Sequence, residues 1–289
     1  MSWADALRLG RVSNLPTVWT NTLAGLVLAG GFLSPAPLIL LLLAVSLAYV
    51  GGMFLNDAFD AEIDVAQRPE RPIPSGRVGR EAVFAFGAAM LAANVISLGI
   101  VGSLSGTGPL WPALAGLALA ALIVLYNWRH KSNPLSPVVM GLCRVMVYLA
   151  AGLCVTADLP PALWIGAALL LCHLIGLTYA AKQESLGHVA NLWPLLFLAA
   201  PLLYGLALVP REPATALFWL ALAAAVFASL LSLRRRGPGD IPRAVMTLIA
   251  AISLLDAMLI AGQGRPGLAA AALLGFALTL FLQRFVRGT

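Results

Sequence analysis

The residues with the clearest chemical potential lie where an apolar run turns polar, in Asn56-Asp57-Ala58-Phe59-Asp60-Ala61-Glu62-Ile63-Asp64. No proline or glycine separates this stretch from the apolar residues ending at Leu55, so the sequence predicts one continuous helix. At about 100° per residue, Asp57, Asp60 and Asp64 fall within an arc of about 60°, with Asn56 beside them and Glu62 pointing away. Carboxylates crowded on one helix face repel each other, and partial burial raises the cost unless a cation compensates. An all-oxygen set without His or Cys suits Mg²⁺, which keeps water and substrate phosphates in its shell. The expected ligand is a magnesium-bridged diphosphate.

The next segment, Gln67-Arg68-Pro69-Glu70-Arg71-Pro72-Ile73-Pro74-Ser75-Gly76, supports that reading. Its three prolines are expected to hold the backbone extended, and Arg68 and Arg71 can offer planar forks to phosphate oxygens. Cation-binding acids beside anion-binding arginines form a recognition pair for a metal diphosphate.

These groups need a scaffold, and the composition states which kind. Of 289 residues, 61% are apolar and 10% charged, against about 45–50% and about 25% in an average soluble domain. That excludes a water-soluble globule and a disordered chain, and three cysteines are no covalent framework. Ten uncharged stretches approach the roughly 20 residues that a helix needs to cross the hydrocarbon. They run approximately over Leu15–Leu33, Pro37–Leu55, Ala82–Leu104, Pro109–Tyr126, Leu135–Thr156, Pro161–Ala181, Ala190–Val209, Ala214–Leu233, Ala244–Ala261 and Gly267–Leu282. The predicted fold class is all-α: a polytopic transmembrane helical bundle of nine to ten spans, forming one domain over residues 1–289.

The net charge of +6 has a topological cause. All but three of the 18 Lys and Arg residues lie in alternate connections or at the termini; Arg211 and Arg265 fall in the opposite set, and Arg144 lies inside a span. The positive-inside rule then places both termini in the cytoplasm, with the plasma membrane as the expected location and the lipid bilayer as a partner. No nucleic-acid partner is needed to account for the basic residues.

Within the spans, Arg144 must face protein, water or ligand, because an unpaired cation there is expensive. A chamber role near the diphosphate and a structural pairing with a carboxylate are both open. Asp256 is a structural acid or an acceptor-site residue. Asn21 and Asn94 read as hydrogen-bonding links between helices, His173 and the cysteines as packing residues, and Trp3, Trp19, Trp111, Trp128, Trp164 and Trp193 as interfacial anchors.

The spacing Asn56-Asp57-x-x-Asp60-x-x-x-Asp64, followed by Arg68-Pro69-x-Arg71-Pro72-x-Pro74-Ser75-Gly76, resembles the first signature of the UbiA superfamily of intramembrane prenyltransferases. Arg11-Val12-Ser13-Asn14-Leu15-Pro16 and Tyr126-Asn127-Trp128-Arg129-His130-Lys131 look like further family segments. The resemblance implies an all-helical fold with a lipid-facing chamber under a cytosolic cap, and transfer of a prenyl group from a polyprenyl diphosphate to a small acceptor, aromatic or other. It implies that Asp57, Asp60 and Asp64 hold Mg²⁺, that Asn56 assists, and that Arg68 and Lys131 bind diphosphate while Tyr126 lines the chamber.

The family's second acidic motif has a weak counterpart in Tyr179 to His188, where Glu184 is the sole carboxylate and Lys182 stands nearby. This is similar to a divergent, EboC-like branch, and it assigns Lys182 and Glu184 a substrate-binding role beside Arg71 and Arg144. Tyr126, Tyr148 and Tyr179 are candidates to stabilise a carbocation-like prenyl group. A non-catalytic carrier of a prenylated or lipophilic precursor on the same scaffold is the alternative.

Overall fold

The computed structural model describes residues 1–129, 133–186, 193–235 and 237–286, with only the backbone over 182–186. Twelve α-helices account for most of them: α1 (Trp3–Leu9), α2 (Leu15–Leu28), α3 (Pro35–Gln67), α4 (Arg80–Ser105), α5 (Leu110–Arg129), α6 (Ser136–Leu153), α7 (Pro161–Leu186), α8 (Ala199–Leu208), α9 (Thr215–Arg235), α10 (Asp240–Ala250), α11 (Ile252–Ala261) and α12 (Pro266–Leu282). There is no strand among the described residues. Seven helical segments, with α10 and α11 taken as one, are long and apolar enough to cross a membrane; Trp193–Leu208 and α12 are shorter apolar helices, and α2 has 14 residues. The chain is a multi-pass integral membrane protein.

Three expected spans differ in detail. The predicted stretch Leu15–Leu33 gives a helix ending at Leu28, where the chain turns through Gly30 at φ 78°. The 190–209 stretch is a 3₁₀ segment, Trp193–Leu198, leading into the ten-residue α8. The 244–261 stretch breaks at Ala251 into α10 and α11. At the first and third breaks the backbone groups are met by local turn bonds, Gly31 N to the Leu26 carbonyl at 3.1 Å and Ala251 N to the Thr247 carbonyl at 2.8 Å.

All ten residues of α11 are buried, and it packs against α2, α9 and α12 as the centre of one apolar cluster. A second cluster joins α2, α3, α4, α5 and α6. Outward-facing side chains are apolar too: Ile39, Leu43, Leu114, Leu117, Leu220 and Phe227 are exposed, as suits a surface solvated by lipid. The six tryptophans expected as interfacial anchors are all exposed or nearly so, from Trp19 at 39% to Trp3 at 87%.

Helix α3 carries the acidic motif, and its setting is fixed by α4. A Cβ on Gly51 would stand 2.9 Å from the Gly87 carbonyl oxygen, and one on Gly87 would stand 3.0 Å from the Gly51 carbonyl oxygen. The two helix backbones therefore touch, as small residues allow in membrane bundles. At 33 residues α3 is about 50 Å long, well beyond the about 30 Å hydrocarbon thickness. Its acidic end can thus project past the apolar layer without leaving the helix.

Candidate active site

Continuity of α3 from Pro35 to Gln67 places the acids as the sequence predicts. Asp57, Asp60 and Asp64 are 6%, 7% and 3% exposed, and Asn56 is buried beside them. Glu62 lies on the other side, with its side chain 83% exposed and paired at 2.9 Å with Arg80. Arg80 Nε also donates to the Ala58 carbonyl at 2.9 Å.

The burial of Asp57 and Asp64 is compensated by arginines from two other segments. Arg11 Nη2 donates to Asp57 Oδ1 at 3.0 Å and to Asn56 Oδ1 at 3.1 Å. Arg71 Nη1 donates to Asp64 Oδ2 at 2.6 Å and reaches Asp57 Oδ1 at 3.3 Å. Asn56 Nδ2 in turn donates to Asn127 Oδ1 at 3.1 Å, and Asn127 Nδ2 to the Gly52 carbonyl at 3.0 Å, so α5 locks the orientation of the Asn56 amide.

The proline-rich loop is not extended, contrary to expectation. It folds into successive turns: the Ser75 hydroxyl donates to the Arg71 carbonyl at 2.7 Å, Val78 N to the Pro72 carbonyl at 3.2 Å, and Gly76 takes φ 74°. Proline preset for turn positions and a glycine at positive φ explain the compact form. Its effect is to turn Arg71 back onto α3. Arg68, the C-cap of that helix, is exposed and forms no ion pair among the described residues. Of the two forks expected to face phosphate, one is held by carboxylates and the other is open to solvent.

Arg11 is the member of the centre that residue spacing alone did not single out. It sits in the left-handed region, φ 42° and ψ 47°, a sparsely populated conformation for a residue with a Cβ. The α1 helix before it is tethered through Asp5, which accepts from the Ser2 hydroxyl at 2.6 Å and pairs with Arg77 at 3.1 Å. The Ser2 hydroxyl, aided by Arg77, holds the Asp5 carboxyl below its ordinary range.

Two cavities meet at Arg11. A vestibule of about 770 Å³ is lined by Arg8, Arg11, Arg68, Arg71, Arg77 and Arg284 together with Asp57 and Glu70. An apolar chamber of about 250 Å³ lies between the two core clusters, and its polar lining includes Arg11, Tyr126, Asn127, Tyr49, Arg144, Asn14 and Thr178. Tyr126 therefore lines the chamber as expected. Tyr148 does not: its hydroxyl donates to Asp256 in the buried core. The vestibule's far wall comes from the end of the chain, where Gln283 Nε2 donates to Asn14 Oδ1 at 3.0 Å.

Arg144 and Asp256 are connected, but indirectly. Arg144 Nη1 donates to Asn21 Oδ1 at 3.0 Å, while Asn21 Nδ2 donates to both Asp256 oxygens, at 3.1 and 2.9 Å. Asn21 is the interhelical link expected of it. Asn94 is not: it is fully buried with neither amide atom hydrogen-bonded among the described residues. His173 Nε2 meets the Leu248 carbonyl at 3.0 Å, consistent with a packing role. Lys131 and the side chains of Lys182 and Glu184 lie outside the described residues.

The donor chemistry of Asp57, Asp60, Asp64 and Asn56 suits a hard cation, since every available atom is oxygen or amide. As arranged, among the described residues no three His, Cys, Asp or Glu converge closely enough to hold one. Arg11 and Arg71 supply the positive charge there.

A polytopic helical membrane protein with an acid and arginine centre between a cationic vestibule and an apolar chamber is the class that fold and site define. Residues 18–244 match the model of the UbiA prenyltransferase family, and the chain belongs to that family. It is 32% identical over 169 residues to a digeranylgeranylglyceryl phosphate synthase of Methanopyrus kandleri, covering 58% of this chain and 59% of that protein. It is also 32% identical over 156 residues to a protoheme IX farnesyltransferase of Methylocella silvestris, covering 51% and 47%. The chain thus spans less than two thirds of the length of these relatives. Among solved structures, the apo form of a UbiA homolog from Aeropyrum pernix K1 superposes with a TM-score of 0.67 at 18% identity, over 86% of this chain and 96% of that one. A structure described for digeranylgeranylglyceryl phosphate synthase gives 0.64 at 17%, over 90% and 97%.

Proposed function

We propose that this protein transfers a prenyl group from a polyprenyl diphosphate to a small acceptor inside the membrane, with Mg²⁺ as cofactor. The observation that carries this reading is the junction at Arg11, where an arginine-lined vestibule and an apolar chamber share one side chain that also holds Asp57. A polyprenyl diphosphate is a polyanion joined to a hydrocarbon, and the two cavities match its two ends. The relatives' names support prenyl transfer in general, a glyceryl phosphate in one case and a haem precursor in the other; the acceptor here is a separate question.

In this reading Asp57, Asp60 and Asp64, with Asn56 beside them, would hold Mg²⁺, which would supply Lewis-acid neutralisation of the leaving group. Arg71 and Arg11, freed from the carboxylates, turn their forks to phosphate oxygens, and Arg68 and Lys131 add charge from the loop ends. As the allylic C–O bond lengthens, negative charge grows on the diphosphate and positive charge on the prenyl carbon; the arginines favour the former and the Tyr126 face the latter. Exclusion of water by the apolar chamber protects the cationic carbon from hydrolysis.

The whole chain acts as a single domain, since the vestibule is lined by residues from Arg8 to Val286. Arg8 and Arg284 share that mouth, which supports placing both chain ends on the side of the acids. The arginine excess there supports the cytoplasmic face, with the plasma membrane as location. The test is incubation of purified protein with labelled prenyl diphosphates, Mg²⁺ and an acceptor panel. Diphosphate release with transfer is the expected result; binding without release over the whole panel identifies a carrier instead.

A further inference from the structure

Arg144 is a charged group in the chamber that donor binding leaves unused. It lies mid-way along α6, lines the chamber, and carries its guanidinium 5.3 Å from the centre of the Tyr49 ring. A guanidinium has five N–H donors. Among the described residues Arg144 has one hydrogen-bond acceptor, the Asn21 side-chain oxygen. Asp256, the nearest acid in its network, is already served by both contacts from Asn21 Nδ2 and by the Tyr148 hydroxyl. The Asn21 amide stands between cation and anion, so the guanidinium is held on that side while Arg144 also lines the chamber. Donors left unmet in such a setting are costly.

Helix geometry separates Arg144 from the diphosphate end. Tyr49, Met53, Asn56, Asp57 and Asp60 share one stripe of the unbroken α3, and eight residues from Tyr49 to Asp57 correspond to about 12 Å along its axis. The backbone of Tyr49 thus stands about two turns below the acids, with its hydroxyl reaching up to the Arg11 carbonyl at 3.4 Å, so the Arg144 guanidinium over its ring lies on the chamber side of the acid and arginine centre. The prenyl tail is hydrocarbon and offers no acceptor for an N–H. Of the two substrates, the acceptor is the one that can bring oxygens to a group on the chamber side.

We propose that Arg144 is the specificity-determining anchor of the acceptor and selects acceptors that carry an anionic oxygen group, a carboxylate or a phosphate monoester. The planar fork receives two such oxygens at once, and the Tyr49 ring backs the fork on its other face. Asn21 and Asp256 act as positioning residues that hold the guanidinium in place. The inference rests on the prenyl-transfer reading and adds to it the class of acceptor.

The test uses the full chain in phosphatidylcholine nanodiscs, loaded with Mg²⁺ and the slowly reacting donor farnesyl thiodiphosphate. Calorimetric titration compares 4-hydroxybenzoate with its methyl ester, and a monoalkylglycerol phosphate with the uncharged monoalkylglycerol. Wild-type protein should prefer the charged member of one pair by tenfold or more, and which pair shows it separates carboxylate from phosphate. Arg144→Gln should remove that preference, leaving affinity for the neutral member and for the donor unchanged, and Arg144→Lys should restore part of it. The double variant Arg144→Gln with Asp256→Asn, which keeps the buried network neutral, should lose the preference equally and covers the case in which the single variant does not fold. No charge preference in wild type, preference retained in Arg144→Gln, or donor affinity falling with Arg144 would each overturn the proposal. Failure of wild type to bind the donor at all would instead strike the prenyl-transfer reading.

Discussion

Arg71 Nη1 lies 2.6 Å from Asp64 and 3.3 Å from Asp57, so one guanidinium from the loop bridges two carboxylates that stand about two turns apart on α3. All three side chains are largely shielded from solvent, with exposures of 17% for Arg71, 5% for Asp64 and 8% for Asp57. Loop and helix are thereby joined at the point where the reaction is proposed to occur.

Removing that bridge should be expensive. Breaking a buried ion pair by deleting one partner costs about 3–5 kcal/mol, so Arg71→Ala should lower thermal stability in detergent markedly. Arg68→Ala, at an exposed position without an ion pair among the described residues, should leave stability unchanged and weaken only donor binding. Calorimetric unfolding of both variants checks the contrast; equal stability would mean that Arg71 does not hold the loop.

Contact between the α3 and α4 backbones gives an independent test of the scaffold. Gly87→Leu would drive a side chain into the Gly51 carbonyl and the Leu55 side chain. Overpacking of this kind costs about 1–3 kcal/mol, and splaying the helices would also displace the acids. Thermal unfolding should show the loss, with Gly79→Ala, where a Cβ meets nothing within 4 Å, as the unaffected control.

Topology can be read by labelling. Single cysteines at Ser75 and Thr107, in a background lacking Cys143, Cys154 and Cys172, should react with an impermeant maleimide from opposite faces of the membrane. The two residues flank α4, so labelling from one face would mean that this helix does not span.

The weak second motif makes a kinetic prediction. Lys182→Ala and Glu184→Gln should each slow transfer while donor binding persists through Asp57, Asp60, Asp64 and Arg71. Loss of one charge-stabilising contact typically costs about 10²–10³ in turnover. Single-turnover rates unaffected by both changes would remove this loop from the mechanism.

Much of the centre was legible because helix periodicity is local. Asp57, Asp60 and Asp64 on one face, and Glu62 on the other, follow from 3.6 residues per turn once the helix is known to continue. Arg11 was harder to find: it is 46 residues from Asp57, and its contact depends on a left-handed turn that residue type does not announce. Its place in the segment Arg11 to Pro16 was the only available signal. The compact loop was misread because proline restricts φ without choosing between extended and turned ψ; Ser75 and Gly76 made that choice. The Asn21 link between Arg144 and Asp256 spans helices far apart in sequence, and periodicity carries no information about which polar groups will meet across a bundle.

Titration of farnesyl thiodiphosphate into the purified protein with and without Mg²⁺ tests most directly whether this face of α3 takes the diphosphate. Saturable, Mg²⁺-dependent binding is expected in wild type, its loss in Asp57→Ala and in Asp60→Ala, and near-wild-type affinity in Glu62→Ala, whose exposed pair with Arg80 contributes at most about 1 kcal/mol to stability. Undiminished binding in the two aspartate variants, or equal loss in all three, would contradict the assignment of the diphosphate to this face of α3.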